Sequence, residues 1–541
     1  MAFRKNISQQ LSLDDRFVRL SPRVQKLIEG EDAWPHIFAT VVFPAINEER
    51  FSVLYSDDPA TRPNTPVNFI IGALLLKEFQ QLTQTELYES ILCDVRYQYA
   101  LHTTSYEEQP VSDRTFSRFR RRLYDYEIRT GIDLMKEEIE SLSEVIAEFM
   151  NLRNNIRRMD SMMVASRCKA MSRLEIIYTC VANMIRLLDK LEMKSLIPEG
   201  MKHYLDKDDR NQVIYHAKGE ESFSRLDRVI QDAEQLRNTL DEIIFGDHSE
   251  YQLLLRVLEE QAKYDESGNI IARDDKEISS DSLQNPSDPD ATYRKKAGKS
   301  YKGYAGNVVE TVGEDGDSVI SSLQYEKNNY SDTAFMTDYL DQQPDCPEGE
   351  PETVINDGAF VSDEIMKIAD EKNIQLIPTA MTGKLPNEIL ADFELTEKET
   401  AVVKCPMGYE PSRQTFSEKT ETIRAKFEKS CCQSCPNRDQ CKADEQKKSF
   451  VVKVPVKSVH RARQMKKMRT EDYRVLSRKR NAIEGVVSVL RRRYRIDEIP
   501  VSGYLRSKVF FTLKVGAYNL GKLFRHCRRS LVSCAQNQEI A

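Results

Sequence analysis

Residues 304–326 read YAGNVVETVGEDGDSVISSLQYE, and residues 353–383 read TVINDGAFVSDEIMKIADEKNIQLIPTAMTG. The first stretch holds two β-branched runs either side of GEDGD, a turn signal, and so predicts two neighbouring strands. In the second, TVIN predicts a strand ending in an Asp–Gly turn, SDEIMKIADEKN a serine-capped helix, and IQLIP another strand. Neighbouring strands, then strands alternating with helices, predict an α/β fold whose mixed sheet has a parallel part.

Working outward, NIRRMDSMMVASR (155–167) predicts a further strand and 332–341 a helix. Residues 170–285 form a helical insertion with Ile176, Ile177, Val181, Met184, Ile185 and Leu188 at helical spacing. Residues 385–455 form a second, cysteine-rich insertion, and a basic amphipathic helix spans about Glu471 to Tyr494. The N-terminal 1–125 are all-helical. Thr65 with Pro66 predicts a capped helix start, followed by Val67, Ile70, Ile71, Leu74 and Leu75 on one face. Thr83 and Glu86 have capping-box spacing before a helix from about Leu87 to Leu101. After a turn-prone loop, Ser112 opens a short helix crowded with Arg114, Arg118, Arg120, Arg121 and Arg122. That helix suits DNA, or else packs on the body through Phe116 and Phe119. A long amphipathic helix follows over about Gly131 to Leu152.

The net charge of −7 hides an asymmetry. Of 79 basic and 86 acidic residues, 22 and 6 fall in residues 451–541, a net of +16, and 57 and 80 in the rest, a net of −23. A cationic end on an acidic body fits a polyanionic partner; a solvated, salt-bridged tail is the plainer reading. The longest apolar run, Phe69 to Leu76, is far short of a membrane span, and the first residues, MAFRKNISQQLSLDDRF, hold no apolar signal segment. A cytoplasmic protein with no membrane partner is expected.

Three acids stand out. Asp357 ends a strand ahead of a helix, the edge where open α/β sheets hold ligands, and its Asp–Gly pair is also an ordinary turn. Asp160 lies in the RRMDSMMV strand. Glu484 sits beside the stripe Ile483, Val486, Val487 and Leu490, with Arg480 four residues before it and Arg491 seven after. An Arg480–Glu484 surface pair is the plain alternative. Three carboxylates suit hard ions, Mg²⁺ or Mn²⁺, and two such ions can clamp both oxygens of a phosphoryl displacement. Asn328 and Asp332, in NNYSD, are expected as a helix cap.

Five of eleven cysteines lie between Cys405 and Cys441. Cys405, Cys432, Cys435 and Cys441 predict a closed structural Zn²⁺ site, with Cys431 an alternative to Cys432 and free thiols the other reading.

MDSMMV, INDGAF and RNAIEGVVSVLRRRYR, in that order, resemble the two catalytic strands and catalytic helix of DDE transposases from bacterial insertion sequences. TPVNFIIGALLLKEF…VSDRTFSRFRRRL resembles the helical domain ahead of the catalytic core in one such family, and DPDATYRKKAGKSYKGY resembles its segment before the second strand. The resemblance spans most of residues 60–525. It implies an RNase H-like catalytic domain over 150–500, interrupted by 170–285 and 385–455, preceded by a DNA-binding domain over 1–125 and followed by a basic helix and tail over 501–541. It assigns Asp160, Asp357 and Glu484 to the catalytic metal site and Arg480 to a familiar arginine position. Ser477 and Arg491 stand where relatives carry Tyr and Lys. Cleavage and strand transfer of element ends, terminal inverted repeats as double-stranded DNA partner, and a homodimeric synaptic complex are implied. Arg114, Arg118, Arg480, Arg491, Arg492, Arg493 and Arg495 are the expected DNA contacts. A catalytically inactive DNA-binding derivative, or an RNase H-like nuclease without strand transfer, are the rival readings.

Overall fold

The computed structural model describes residues 1–6, 20–58, 60–103, 111–152, 155–215, 220–296, 298–347, 349 and 351–540. Most of the first 17 residues, and the turn-prone loop over 104–110, lie outside the described residues.

Helix α1 (Val67–Gln80) is apolar and buried on nearly every side, as a central helix must be. Thr65 does not cap it. Pro66 precedes the first turn, and the buried Glu48 carboxylate accepts from Val67 N at 2.9 Å, supplying from another segment the acceptor a threonine would have given. The Thr83–Glu86 capping box is present. The helix expected from Leu87 to Leu101 is two helices, Gln84–Cys93 and Val95–Ala100, because the Asp94 side chain accepts from Arg96 N and starts a new helix. Helix α2 (Asp113–Thr130) is longer than expected, since half-buried Tyr124 and Tyr126 extend the buried stripe of Phe116, Phe119 and Leu123. Gly131 ends it, and Asp133 caps α3 (Leu134–Phe149) through Lys136 N at 2.9 Å.

The sheet begins with β1 (Ile156–Ala165). The insertion that follows packs α4 (Arg173–Lys190), α5 (Glu220–Thr239) and α6 (Ser249–Gln261) around a core of their own, closed by a small hairpin, Ala262–Tyr264 with Ile270–Ala272. The chain returns through β2 (Thr292–Lys296), β3 (Lys299–Val312) and β4 (Ser318–Lys327), the turn before β4 taking Gly316 at φ +85°. Then come α7 (Asp332–Gln342), β5 (Glu352–Asn356), α8 (Asp363–Glu371) and β6 (Ile374–Pro378). In the sheet β3 runs antiparallel to β1, β2 and β4, while β1, β5 and β6 run parallel. The molecule is therefore a mixed α/β protein with the antiparallel and parallel parts expected.

Downstream, β7 (Arg413–Ser417), β8 (Thr422–Glu428), β9 (Asp444–Glu445) and β10 (Ser449–Pro455) form a small antiparallel sheet carrying the cysteines. The single basic helix expected over 471–494 is α9 (Glu471–Arg478) and α10 (Asn481–Arg492), broken because the Lys479 carbonyl accepts from the buried Arg158 guanidinium at 3.0 Å. Finally α11 (Tyr504–Ile540) lies against α1, α3 and β4. One apolar core joins α1, α2, α3, β3, β4, α10 and α11, so chain segments hundreds of residues apart share it.

Candidate active site

Asp160 sits mid-strand on β1, opposite Val308 of β3. Asp357 follows the last residue of β5 as the cap of a short turn, its Oδ1 accepting from Gly358 N at 2.6 Å. Glu484 lies in the first turn of α10. Although 324 residues separate Asp160 from Glu484, all three meet one guanidinium. Arg480 Nη2 is 3.7 Å from Asp160 Oδ1 and 4.0 Å from Asp357 Oδ2, and Nη1 donates to Glu484 Oε1 at 3.3 Å. The expected i,i+4 pair is present, but it is one arm of a four-residue cluster.

The environment grades the acids. Asp160 is mostly buried, Asp357 half-exposed, and Glu484 exposed, with side-chain exposures of 19%, 49% and 67%. Burial pushes the Asp160 carboxyl above its usual range, opposed by Arg480, by the Ser161 N–H and by Lys296. A cation near these acids relieves that cost, and Arg480 supplies one positive charge for three carboxylates. Its Nε is buried without a partner, a donor aimed at an acceptor the protein does not provide.

Sequence reasoning missed three neighbours. Arg158, 5% exposed, pairs with fully buried Glu310 at 2.7 Å and holds the Lys479 carbonyl, thereby fixing the backbone that carries Arg480. Asp332 is not the cap expected of it. Ser331 caps α7 through Ala334 N, while buried Asp332 accepts from Ser161 Oγ at 2.8 Å and faces Arg294 at 3.6 Å and Lys296 at 3.9 Å. Asn328 likewise caps nothing and donates to the Tyr301 carbonyl. The only sequence signal for Arg158 and Lys296 was their place in RRMD and RKK.

Among the described residues no group of three or more His, Cys, Asp or Glu is gathered in a form that would hold a metal ion. At the acidic cluster the carboxylates are gathered on a guanidinium. Their chemistry still fits a hard divalent ion: Asp160 and Asp357 each have Oδ1 fixed by a backbone N–H, a geometry that orients the carboxylate for a ligand.

Cys405, Cys431, Cys432, Cys435 and Cys441 line one small cavity, so local spacing did bring them together. Burial and the neighbouring thiols push Cys432 and Cys441 up to about 11. The surrounding unit has its own apolar core of Phe393, Val402, Ile423, Ala425, Phe427, Val452 and Val454, larger than the residues flanking the cysteines suggest.

The expected DNA-contacting arginines divide. Arg114 and Arg118 are exposed on α2, whereas Arg120 lies over the Phe510 ring at 5.4 Å and Arg122 over Tyr55 at 4.6 Å. Arg491, Arg492 and Arg495 are exposed; Arg491 stands 3.9 Å from Asp497, and Arg493 stacks between Phe79 and Tyr494.

Two transposase domains match this chain. The first is the transposase domain DUF772, over residues 22–122, and the second the transposase DDE domain, over residues 404–524. The chain is therefore a transposase, and the pairing of these domains in this order makes it a DDE-type transposase of an insertion sequence. The second match contains Glu484, Arg480 and the cysteine unit; Asp160 and Asp357 lie upstream of it. No curated protein and no solved structure matches. Among the described residues no helix is long and apolar enough to cross a membrane.

Proposed function

We propose that this transposase cuts and rejoins the ends of its own element by metal-assisted phosphoryl transfer at Asp160, Asp357 and Glu484. The observation that carries this reading is the convergence of those acids, from two strands and a helix, on the single guanidinium of Arg480. The strand order β4–β3–β1–β5–β6, with acids at β1, after β5 and on a later helix, supports an RNase H-like core. Mg²⁺ or Mn²⁺ held by the three acids would polarise the phosphate and activate the attacking oxygen. The protein's part is to fix those donors, through the Ser161 and Gly358 N–H groups, and to meet the phosphate's negative charge with Arg480, whose Nε lacks an acceptor.

On this reading the boundaries 1–125, 150–500 and 501–541 mark DNA binding, catalysis and a basic tail in a cytoplasmic protein. Inverted repeats are the DNA partner and a homodimer brings two ends together. Cys405, Cys432, Cys435 and Cys441, with Cys431 as substitute for Cys432, hold a structural Zn²⁺ that steadies the 385–455 unit.

The test is incubation of the full chain with Mg²⁺ and a duplex of the DNA flanking the gene. Cleavage at the element end followed by joining of the new 3′-hydroxyl to target DNA is expected. Cleavage without joining would mark a nuclease, and binding without cleavage a catalytically inactive derivative.

A further inference from the structure

Residues 292–302, TYRKKAGKSYK, hold five cations and no acid, and form the β2–β3 hairpin. The hairpin is fastened at its root. Thr292 exchanges hydrogen bonds with Asn329, Asn328 Nδ2 donates to the Tyr301 carbonyl at 3.0 Å, and Arg294 donates to the Tyr330 carbonyl at 2.9 Å. Fully buried Asp288 accepts from Tyr304 OH and Ser166 Oγ just below. Gly303 bends β3 there. Its φ of +144°, and the Val164 carbonyl 2.3 Å from where a Cβ would stand, admit only glycine. Beyond the bend, Lys296 Nζ lies 3.9 Å from Asp332, which holds the hydroxyl of Ser161, the residue after Asp160.

Register places Arg294 opposite Tyr301 and Lys296 opposite Lys299, so both lysines share the face that reaches Asp332. Like charges directly opposite destabilise a strand pair, and among the described residues no carboxylate pairs with Lys299. Lysines on an edge strand commonly guard against aggregation. That role explains exposed Lys295 on the opposite face, but not a lysine turned toward a buried acid beside the site.

We propose that the β2–β3 hairpin is a phosphate-binding arm of the active site, with Lys296 and Lys299 together holding backbone phosphates of the DNA next to the one cut. Asp332 positions Lys296 and, through Ser161, ties the arm to the strand that carries Asp160. This rests on the reading of the acidic cluster as a DNA phosphoryl-transfer site.

The test is binding of the full chain to a labelled duplex of the DNA flanking the gene, and to a random duplex, at several salt concentrations. K296Q/K299Q should lower the slope of log affinity against log salt by nearly two units on both duplexes, with unchanged melting, and K299Q alone by nearly one. An unchanged slope in folded K299Q overturns the proposal. So does an unchanged slope accompanied by aggregation, which would leave the lysines as edge protection. Asp357→Ala separates the two readings. If that variant cannot cleave and K296Q/K299Q keeps the full slope, the arm alone fails; if it cleaves normally and the slope falls, the acidic site alone fails.

Discussion

The acidic cluster and the cysteine unit are both gatherings of candidate metal ligands, built in opposite ways. The cysteines come from one stretch of 37 residues and are brought together by turns and a short helix, Lys429–Gln433. The acids come from three segments whose meeting depends on the order of strands in the sheet, on Arg158 holding the α9–α10 junction and on the core beneath α10. A local site tolerates damage elsewhere in the fold, whereas a site assembled by topology fails with its scaffold. The difference also fixes the chemistry each suits: thiols packed around one cavity close a coordination shell, while acids graded from buried to exposed leave room for substrate.

The largest expected effect breaks the acidic side outright. Asp160→Ala, Asp357→Ala or Glu484→Ala should each abolish Mg²⁺-dependent cleavage of end DNA while binding, read by gel shift, stays largely intact; near-normal cleavage by Asp357→Ala would remove that residue from the site. Next comes the scaffold. Arg158→Ala leaves Glu310 buried without its guanidinium, at a cost of about 3–5 kcal/mol. Denaturant titration should show that loss together with lost cleavage, and a stability within about 1 kcal/mol of the parent would mean Arg158 does not hold the junction.

The cysteine side should respond locally. Metal analysis of protein purified without chelator should find about one Zn²⁺ per chain. Cys405→Ser should remove it and open residues 385–455 to protease while the sheet core melts as before, because the unit keeps apolar packing of its own. A zinc-free parent with normal melting would refute the site. The smallest effects concern DNA contacts. Arg493 is already stacked on two rings, so replacing Arg491, Arg492 and Arg493 with Gln should flatten the salt dependence by about two units rather than three. Changing Arg114 and Arg118 should instead weaken the element end more than random DNA, as base contacts do. An unchanged salt slope with reduced stability would return the C-terminal arginines to a structural role.

How much was legible follows the same division. Strands and helices around Asp357 were readable because alternation, caps and the GEDGD turn are local signals, and SDEIMKIADEKN forms its helix with Ser362 as cap. Glu484 was readable as lying beside a buried stripe. The cap of α1 was not, because Glu48 reaches it from another segment, and the α9–α10 break was not, because its cause is an arginine more than 300 residues away. Arg120 and Arg122 looked like DNA contacts until their rings were placed beneath them. Asp332 looked like a cap because sequence shows an acid before a helix, not the serine from β1 that it binds.

The central claim is that Asp160, Asp357 and Glu484 form one site for a divalent ion. Replacing that ion with Fe²⁺ and adding ascorbate and peroxide cuts the protein backbone near wherever iron binds. Iron should cut the chain near all three positions together, in competition with Mg²⁺, and Asp357→Ala should suppress all three cuts at once. Cuts at only one of them, or cuts elsewhere that Mg²⁺ does not suppress, would contradict a shared site.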